Sequence, residues 1–138
     1  PSKWEVDAAT LQAVIAHRYD VLQRYARSMK QASAAEIAEL RSRGFLKDSK
    51  AAKSLKKWLH LDAADVPAEH RATLDEALAS SAFLKTTWSM RQELSRLWER
   101  STLSTEQLVS QLKDWCERAE KSGVGPLAEF SRRLRCYV

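Results

Sequence analysis

Apolar residues recur at steps of three and four along most of the chain, the spacing that places side chains on one face of an α-helix. One such run predicts a helix from just after Asp7 to about Lys30, and its apolar positions are Leu11, Val14, Ile15, Leu22, Tyr25 and Met29. No stretch alternates apolar and polar residues over the length of a strand. Ala, Leu, Glu, Lys and Arg dominate over Val and Ile, which favours helix. The pattern therefore predicts an all-α fold, a bundle of about six helices with short connections.

Residues that cap or end helices divide this pattern in the first half of the chain. Ser33 and Glu36 have the spacing of a capping box, and they mark either a fresh helix to Arg43 or a continuation of the first helix. Gly44 then ends the helix. The apolar pair Phe45–Leu46 follows in the turn and is expected to fill the core.

Similar signals mark the helices of the second half. The segment Asp62–Pro67 reads as a loop before a helix that starts around Pro67. Ser104 and Gln107 form a further capping box. Gly123 suits the left-handed position that ends a helix, and Pro126 suits the first turn of the next one.

Length and composition indicate an ordinary globular protein. The chain has 138 residues, of which 44% are apolar and 30% charged, so it can bury a core. We expect a single helical domain over residues 1–138. No initiator Met precedes Pro1, which predicts that the chain is a fragment of a longer protein. No apolar run approaches the roughly 18 residues that span a bilayer.

Few residues offer catalytic or metal-binding chemistry. His17, His60 and His70 are not paired at the spacing of zinc or di-iron ligands. We therefore expect no catalytic, cofactor-binding or metal-binding residue in this chain. Cys116 is flanked by acidic residues, which raise a thiol pKa, so it is expected to pack rather than react. Cys116 and Cys136 are expected to be reduced thiols of an intracellular protein.

Positive charge is concentrated in the first half of the chain. Residues 1–60 contain 12 Lys and Arg against 6 Asp and Glu, whereas residues 61–138 contain 11 against 12. The segment Lys47–His60 predicts an amphipathic basic helix. The candidate anion-binding residues are Arg41, Arg43, Lys47, Lys50, Lys53, Lys56 and Lys57. Such a cluster can contact nucleic-acid phosphates, contact anionic lipid headgroups, or serve only as a solvated face.

Both ends of the chain resemble a known membrane enzyme family. The segments are LQAVIAHRYDVLQRYAR near the start, then LSRLWER and LKDWCERAEKSGVGPLAEFSRRLRCY. They are similar to the C-terminal cytosolic tail of bacterial fatty-acid desaturases of the acyl-CoA/acyl-lipid type. The resemblance implies a di-iron oxidoreductase parent that inserts a cis double bond into an acyl chain. The histidine clusters that hold the irons in that family do not occur here, so the resemblance implies no catalytic residue in this chain.

The same chain also resembles the helical C-terminal part of bacterial DDE transposases. The matching positions are Arg91, Gln92, Leu94, Leu97, Trp98, Leu112, Trp115, Ala119, Ser122, Gly123, Leu127, Phe130 and Leu134. The stretch Arg43–Lys47 fits that family as well. This resemblance implies that the basic segment contacts DNA.

The opening stretch HRYDVLQRYAR favours the desaturase family. We therefore expect a non-catalytic cytosolic helical domain at the inner face of the bacterial membrane, with its basic helix near an anionic membrane surface or an electron-transfer protein. The alternative is a DNA-contacting helical region of a DDE transposase. A third possibility is a helical protein–protein adaptor with no charged ligand. The oligomeric state stays open.

Overall fold

A computed structural model describes residues 6–99 and 102–137. These residues form seven α-helices and no strand. The helices α1–α7 are Ala8–Ala16, Arg18–Ser42, Ser49–Trp58, Ala68–Ser80, Ala82–Ser95, Thr105–Glu120 and Gly125–Arg135. Short 3-10 turns occur at Ala63–Asp65 and Arg96–Glu99. The predicted all-α class is confirmed.

The predicted first helix is interrupted at His17, which raises the helix number from six to seven. Asp7 caps α1 by accepting a hydrogen bond from the Thr10 backbone N–H at 2.8 Å. His17 leaves the helical conformation (φ −123°, ψ 44°), and its ring Nδ1 lies 2.8 Å from the Ala13 carbonyl oxygen. That carbonyl is the acceptor that the His17 backbone N–H would use in a continuous helix. The side chain thus competes with the backbone at the break.

Helix α2 runs through the predicted capping box without interruption. Ser33 is buried inside the helix rather than at its start, so the continuation is the correct alternative. The helix ends at Ser42, and Gly44 follows in the turn with a positive φ of 93°. Leu46 is buried and Phe45 is 41% exposed, so only one of the two residues expected to fill the core does so.

The chain divides into two compact units. The first unit contains the described residues of Pro1–Ser28 and Glu93–Val138, and the second unit is Met29–Gln92. The boundaries fall within α2 and α5. The expectation of one domain over the whole chain stays a prediction.

The first unit is built around aromatic side chains. Tyr25 from α2 meets Phe130 from α7 edge to face, with ring centroids 5.1 Å apart. Trp115 from α6 packs on the same Phe130 at 6.0 Å. Edge-to-face pairs add to the stabilisation from burial. The Trp98 indole N–H donates to the Ile15 carbonyl at 3.1 Å, which ties α1 to the turn after α5.

The local signals that start α6 and α7 are confirmed. Ser104 and Gln107 form the predicted capping box, with bonds of 2.9 and 3.2 Å. Gly123 has a φ of 82°, and Pro126 lies in the first turn of α7.

The second unit has an aliphatic core. Its buried members are Ile37, Leu40, Leu46, Ala52, Leu55, Leu59, Val66, Leu74, Ala77 and Leu84. The turn after α2 is fixed to this unit because the Leu46 backbone N–H donates to Glu76 at 2.9 Å. Farther along, Arg91 forms an ion pair with Asp62 at 2.8 Å. The core joins residues from α2, α3, α4 and α5, and α3 packs against α4.

Candidate functional site

The predicted basic helix is α3, and its sequence explains both its start and its orientation. Asp48 caps the helix by accepting hydrogen bonds from the Lys50 and Ala51 backbone N–H groups at 3.0 and 3.2 Å. Ala52 and Leu55 are buried in the core of the second unit. The lysines at the intervening positions consequently lie on the solvent face.

All seven predicted site residues are exposed, but the structure brings only three of them together. Arg41 from α2 and Lys53 and Lys56 from α3 line a shallow groove of about 250 Å³. We call this surface the lysine groove. Its complete lining is Ala34, Ile37, Ala38, Arg41, Ser49, Ala52, Lys53 and Lys56.

The other four predicted residues lie outside the groove. Arg43 pairs with Glu39 at 3.0 Å on the surface of α2. The Lys57 ammonium lies 4.8 Å from the centre of the Trp58 ring, a cation–π distance. Lys47 and Lys50 are exposed and do not line the groove. These four add to the local positive field without converging on one point.

The three groove cations are not neutralised by neighbouring carboxylates. Within residues 6–99 and 102–137, no Asp or Glu forms an ion pair with Arg41, Lys53 or Lys56. The nearby acidic groups have other partners: Glu36 accepts from the Ser81 hydroxyl and Asp48 caps α3. A groove of one charge sign with apolar walls concentrates the electric field. The lysine groove is therefore suited to binding an anion.

The same groove lacks the arrangement that nucleophilic catalysis needs. Ser49 is the hydroxyl residue in its lining, and none of the lining residues is a histidine or a carboxylate that could act as its base. In the described part of the chain, no three His, Cys, Asp or Glu side chains come together to hold a metal ion. The chemistry that this lining offers is the positive charge of Arg41, Lys53 and Lys56.

Burial determines the protonation of the cysteine and histidine candidates. Cys116 is fully buried, and burial raises the pKa of its thiol to about 11, so it packs as expected. Cys136 is exposed, and neither cysteine forms a disulfide bond within the described residues. His60 is half-buried between α3 and the following loop, and burial, with Arg91 nearby, lowers its pKa to about 4. Its imidazole is therefore neutral at physiological pH.

No helix among the described residues is both long enough and apolar enough to cross a bilayer. The fold and the site together define an all-α protein with a cationic surface groove.

Comparison with known proteins identifies the class. A family model described as a transposase of the ISL3 type matches residues 6–138. The transposase for insertion sequence element IS1001 of Bordetella parapertussis is 33% identical over 85 residues, which cover 59% of this chain and 20% of that relative. No solved structure matches the chain. The chain belongs to the ISL3 family of DDE transposases.

The desaturase interpretation is wrong. The family match over residues 6–138 overturns the oxidoreductase parent, its di-iron cofactor, and the partners that followed from it, namely an anionic membrane surface and an electron-transfer protein. The physical reason lies in the residues that carried the resemblance. Leu97, Trp115 and Phe130 are buried packing positions, and such helical patterns recur in unrelated proteins. The transposase alternative is the correct family.

Sequence reasoning identified the basic segment but not the groove. It missed the apolar side of the site, Ile37 and the small residues Ala34, Ala38 and Ala52. A usable signal was present, because Ala34, Ala38 and Arg41 lie at helical steps of four and three, as do Ser49, Lys53 and Lys56. Ala34 and Ala38 on α2 and Ala52 on α3 therefore line the groove beside its cations.

Proposed function

We propose that this chain is a DNA-contacting helical region of a transposase, and that the lysine groove binds backbone phosphates. The observation that carries the proposal is the convergence of Arg41, Lys53 and Lys56 with no ion-paired carboxylate in the described residues. Family membership supplies the partner, since a transposase acts on DNA. In this proposal the full protein moves an insertion sequence in the cytoplasm.

The binding would be independent of base sequence. Lysine is a flexible point charge that suits phosphate oxygens, and phosphate contacts position a protein on DNA without reading bases. Arg43, Lys47, Lys50 and Lys57 would add to the attraction at longer range, within about 10 Å at 0.1 M salt. This assigns different roles to the seven predicted residues: three make contact and four contribute to the field.

Salt-dependent binding to a fluorescent 20-base-pair duplex tests the proposal. Each phosphate contact contributes about −0.9 to the slope of log K against log salt. The variant Lys53→Gln/Lys56→Gln should bind at least about tenfold more weakly at 50 mM salt, and its slope should be less steep by about two.

A matched control separates contact from net charge. Arg71 and Lys85 are exposed cations of the same unit outside the lysine groove. The variant Arg71→Gln/Lys85→Gln removes the same charge and should stay within about threefold of the original affinity. Equal losses in both variants would contradict a specific groove. Absence of binding at 50 mM salt would instead support the adaptor reading.

A further inference from the structure

A second cationic groove lies in the first unit, between the first half of α2 and α7. It has a volume of about 320 Å³. We call it the arginine groove. Its lining residues are Val21, Arg24, Arg27, Ser28, Phe130, Arg133, Leu134 and Tyr137.

The arginine groove combines an apolar floor with a charged rim. Val21, Phe130 and Leu134 form the floor and are at most 4% exposed. Arg24, Arg27 and Arg133 are all exposed. A low-dielectric floor strengthens the attraction between a guanidinium group and an anion above it.

Two of the arginines are held in place by contacts that leave their terminal nitrogens available. The Arg24 Nε lies 2.9 Å from Asp20, which also accepts a 2.6 Å hydrogen bond from the Tyr137 hydroxyl. The Arg24 guanidinium lies 5.1 Å from the centre of the Tyr137 ring. The Arg133 Nε pairs in the same manner with Glu129 at 3.3 Å. Because both ion pairs use Nε, the two terminal nitrogens of each fork can donate to another acceptor.

Arg27 is the third cation of the rim. Within the described residues it has no ion pair or hydrogen bond, although its charge, together with the Tyr137 hydrogen bond and Arg24, lowers the pKa of Asp20. Helix-end electrostatics account for only part of the cluster. Cations in the last turn of α7 offset the partial negative charge there, but Arg24 and Arg27 lie on another helix.

We propose that the arginine groove binds the phosphodiester backbone of DNA as a second contact, separate from the lysine groove. The choice of DNA as partner rests on the proposed function, whereas the site rests on the geometry of the first unit. Arginine forks match phosphate oxygens in pairs, and such charge-assisted bonds are stronger than neutral ones. An acidic peptide is the competing ligand, and the experiment distinguishes it.

The experiment measures binding of the 138-residue chain to the 20-base-pair duplex and to a fluorescent deca-glutamate peptide. Arg27→Gln/Arg133→Gln is the test variant. Arg96→Gln/Arg132→Gln is the control, since both are exposed cations of the first unit outside this groove. The test variant should bind DNA at least about tenfold more weakly, with a salt slope less steep by about two. The control should stay within about threefold.

Two results would overturn the proposal. One is unchanged or equally reduced DNA binding in the test and control variants. The other is a loss of deca-glutamate binding with DNA binding unchanged, which would assign the groove to an acidic peptide. The single variant Arg27→Gln tests the groove with little risk of misfolding, because Arg27 has no bonded partner in the described residues. It should make the salt slope less steep by about one. If only the Lys53/Lys56 variant weakens, the proposed function survives and this inference fails.

Discussion

The lysine groove and the arginine groove are each lined by three exposed cations, but they differ in where these cations come from in the sequence. The lysine groove takes its cations from residues 41–56, close together in the sequence, and none of its three cations is ion-paired within the described residues. The arginine groove joins Arg24 and Arg133, which lie at opposite ends of the chain, and carboxylates hold both side chains in place. Lysine side chains without ion pairs attract DNA phosphates without a fixed geometry, whereas oriented guanidinium groups bind phosphate in a defined geometry. A charge run in a sequence therefore reveals only the first kind of site.

The largest expected effects are on the free energy of unfolding, and they come from truncating a buried leucine near each groove. Leu55 lies on the buried face of α3 and Leu134 in the floor of the arginine groove, and their side chains are 1% and 2% exposed. Leu55→Ala and Leu134→Ala should each lower the free energy of unfolding by about 2–5 kcal/mol, because each leaves a cavity. Urea unfolding measures both.

Leu103 provides the comparison, since it is only half-buried and lies outside both grooves. Leu103→Ala should cost less than about 1 kcal/mol. The account would be wrong if this variant destabilised the chain as much as the two core variants.

The next effect is a pH dependence expected from the second unit. Burial lowers the pKa of His60 from 6.5 to about 4, so the unfolded chain binds its proton more readily than the folded chain. The folded chain is therefore not destabilised by protonation of His60 above pH 6.5. As the pH falls from 6.5 to about 4, the free energy of unfolding decreases progressively, by about 3 kcal/mol at most. Urea midpoints at pH 7, 5.5 and 4.5 measure it.

His60→Leu should flatten the pH dependence of stability in that window. A steep pH profile that survives in His60→Leu would show that another group controls acid stability.

A smaller effect is expected at the start of α3. Asp48→Ala removes the cap that accepts from Lys50 and Ala51, which should cost about 1 kcal/mol. Fraying of the first turn should weaken DNA binding through the lysine groove and leave the arginine groove intact. Hydrogen exchange at the Ala51 and Ala52 amides measures the fraying, and unchanged exchange there would contradict the role of the cap.

Much of the fold follows from local sequence signals. The box Ser104–Gln107, the positive φ at Gly123 and the early Pro126 depend on residues within one turn of each other, so the sequence predicts them. The break at His17 depends on how its ring reaches the Ala13 carbonyl, and the apolar period continues across it. Whether Phe45 or Leu46 is buried depends on which of them faces the core of the second unit. Neighbouring residues alone do not determine this.

The two candidate sites also depend partly on local sequence and partly on how the helices pack. The exposed cations of α3 follow from the helical period, but the selection of Lys53 and Lys56 over Lys50 and Lys57 requires the position of α2. The arginine groove requires the pairing of α2 with α7, which periodicity does not give. The desaturase interpretation failed for a related reason, because helical packing patterns report burial and not chemistry.

The most direct measurement is the salt dependence of DNA binding for the chain and for the variant that combines Lys53→Gln, Lys56→Gln, Arg27→Gln and Arg133→Gln. If both grooves contact phosphates, the slope of log K against log salt should be less steep by about four in this variant. The losses of the two double variants should add in free energy, since no residue lines both grooves. A slope equal to that of the unmodified chain would contradict the claim that these grooves bind DNA.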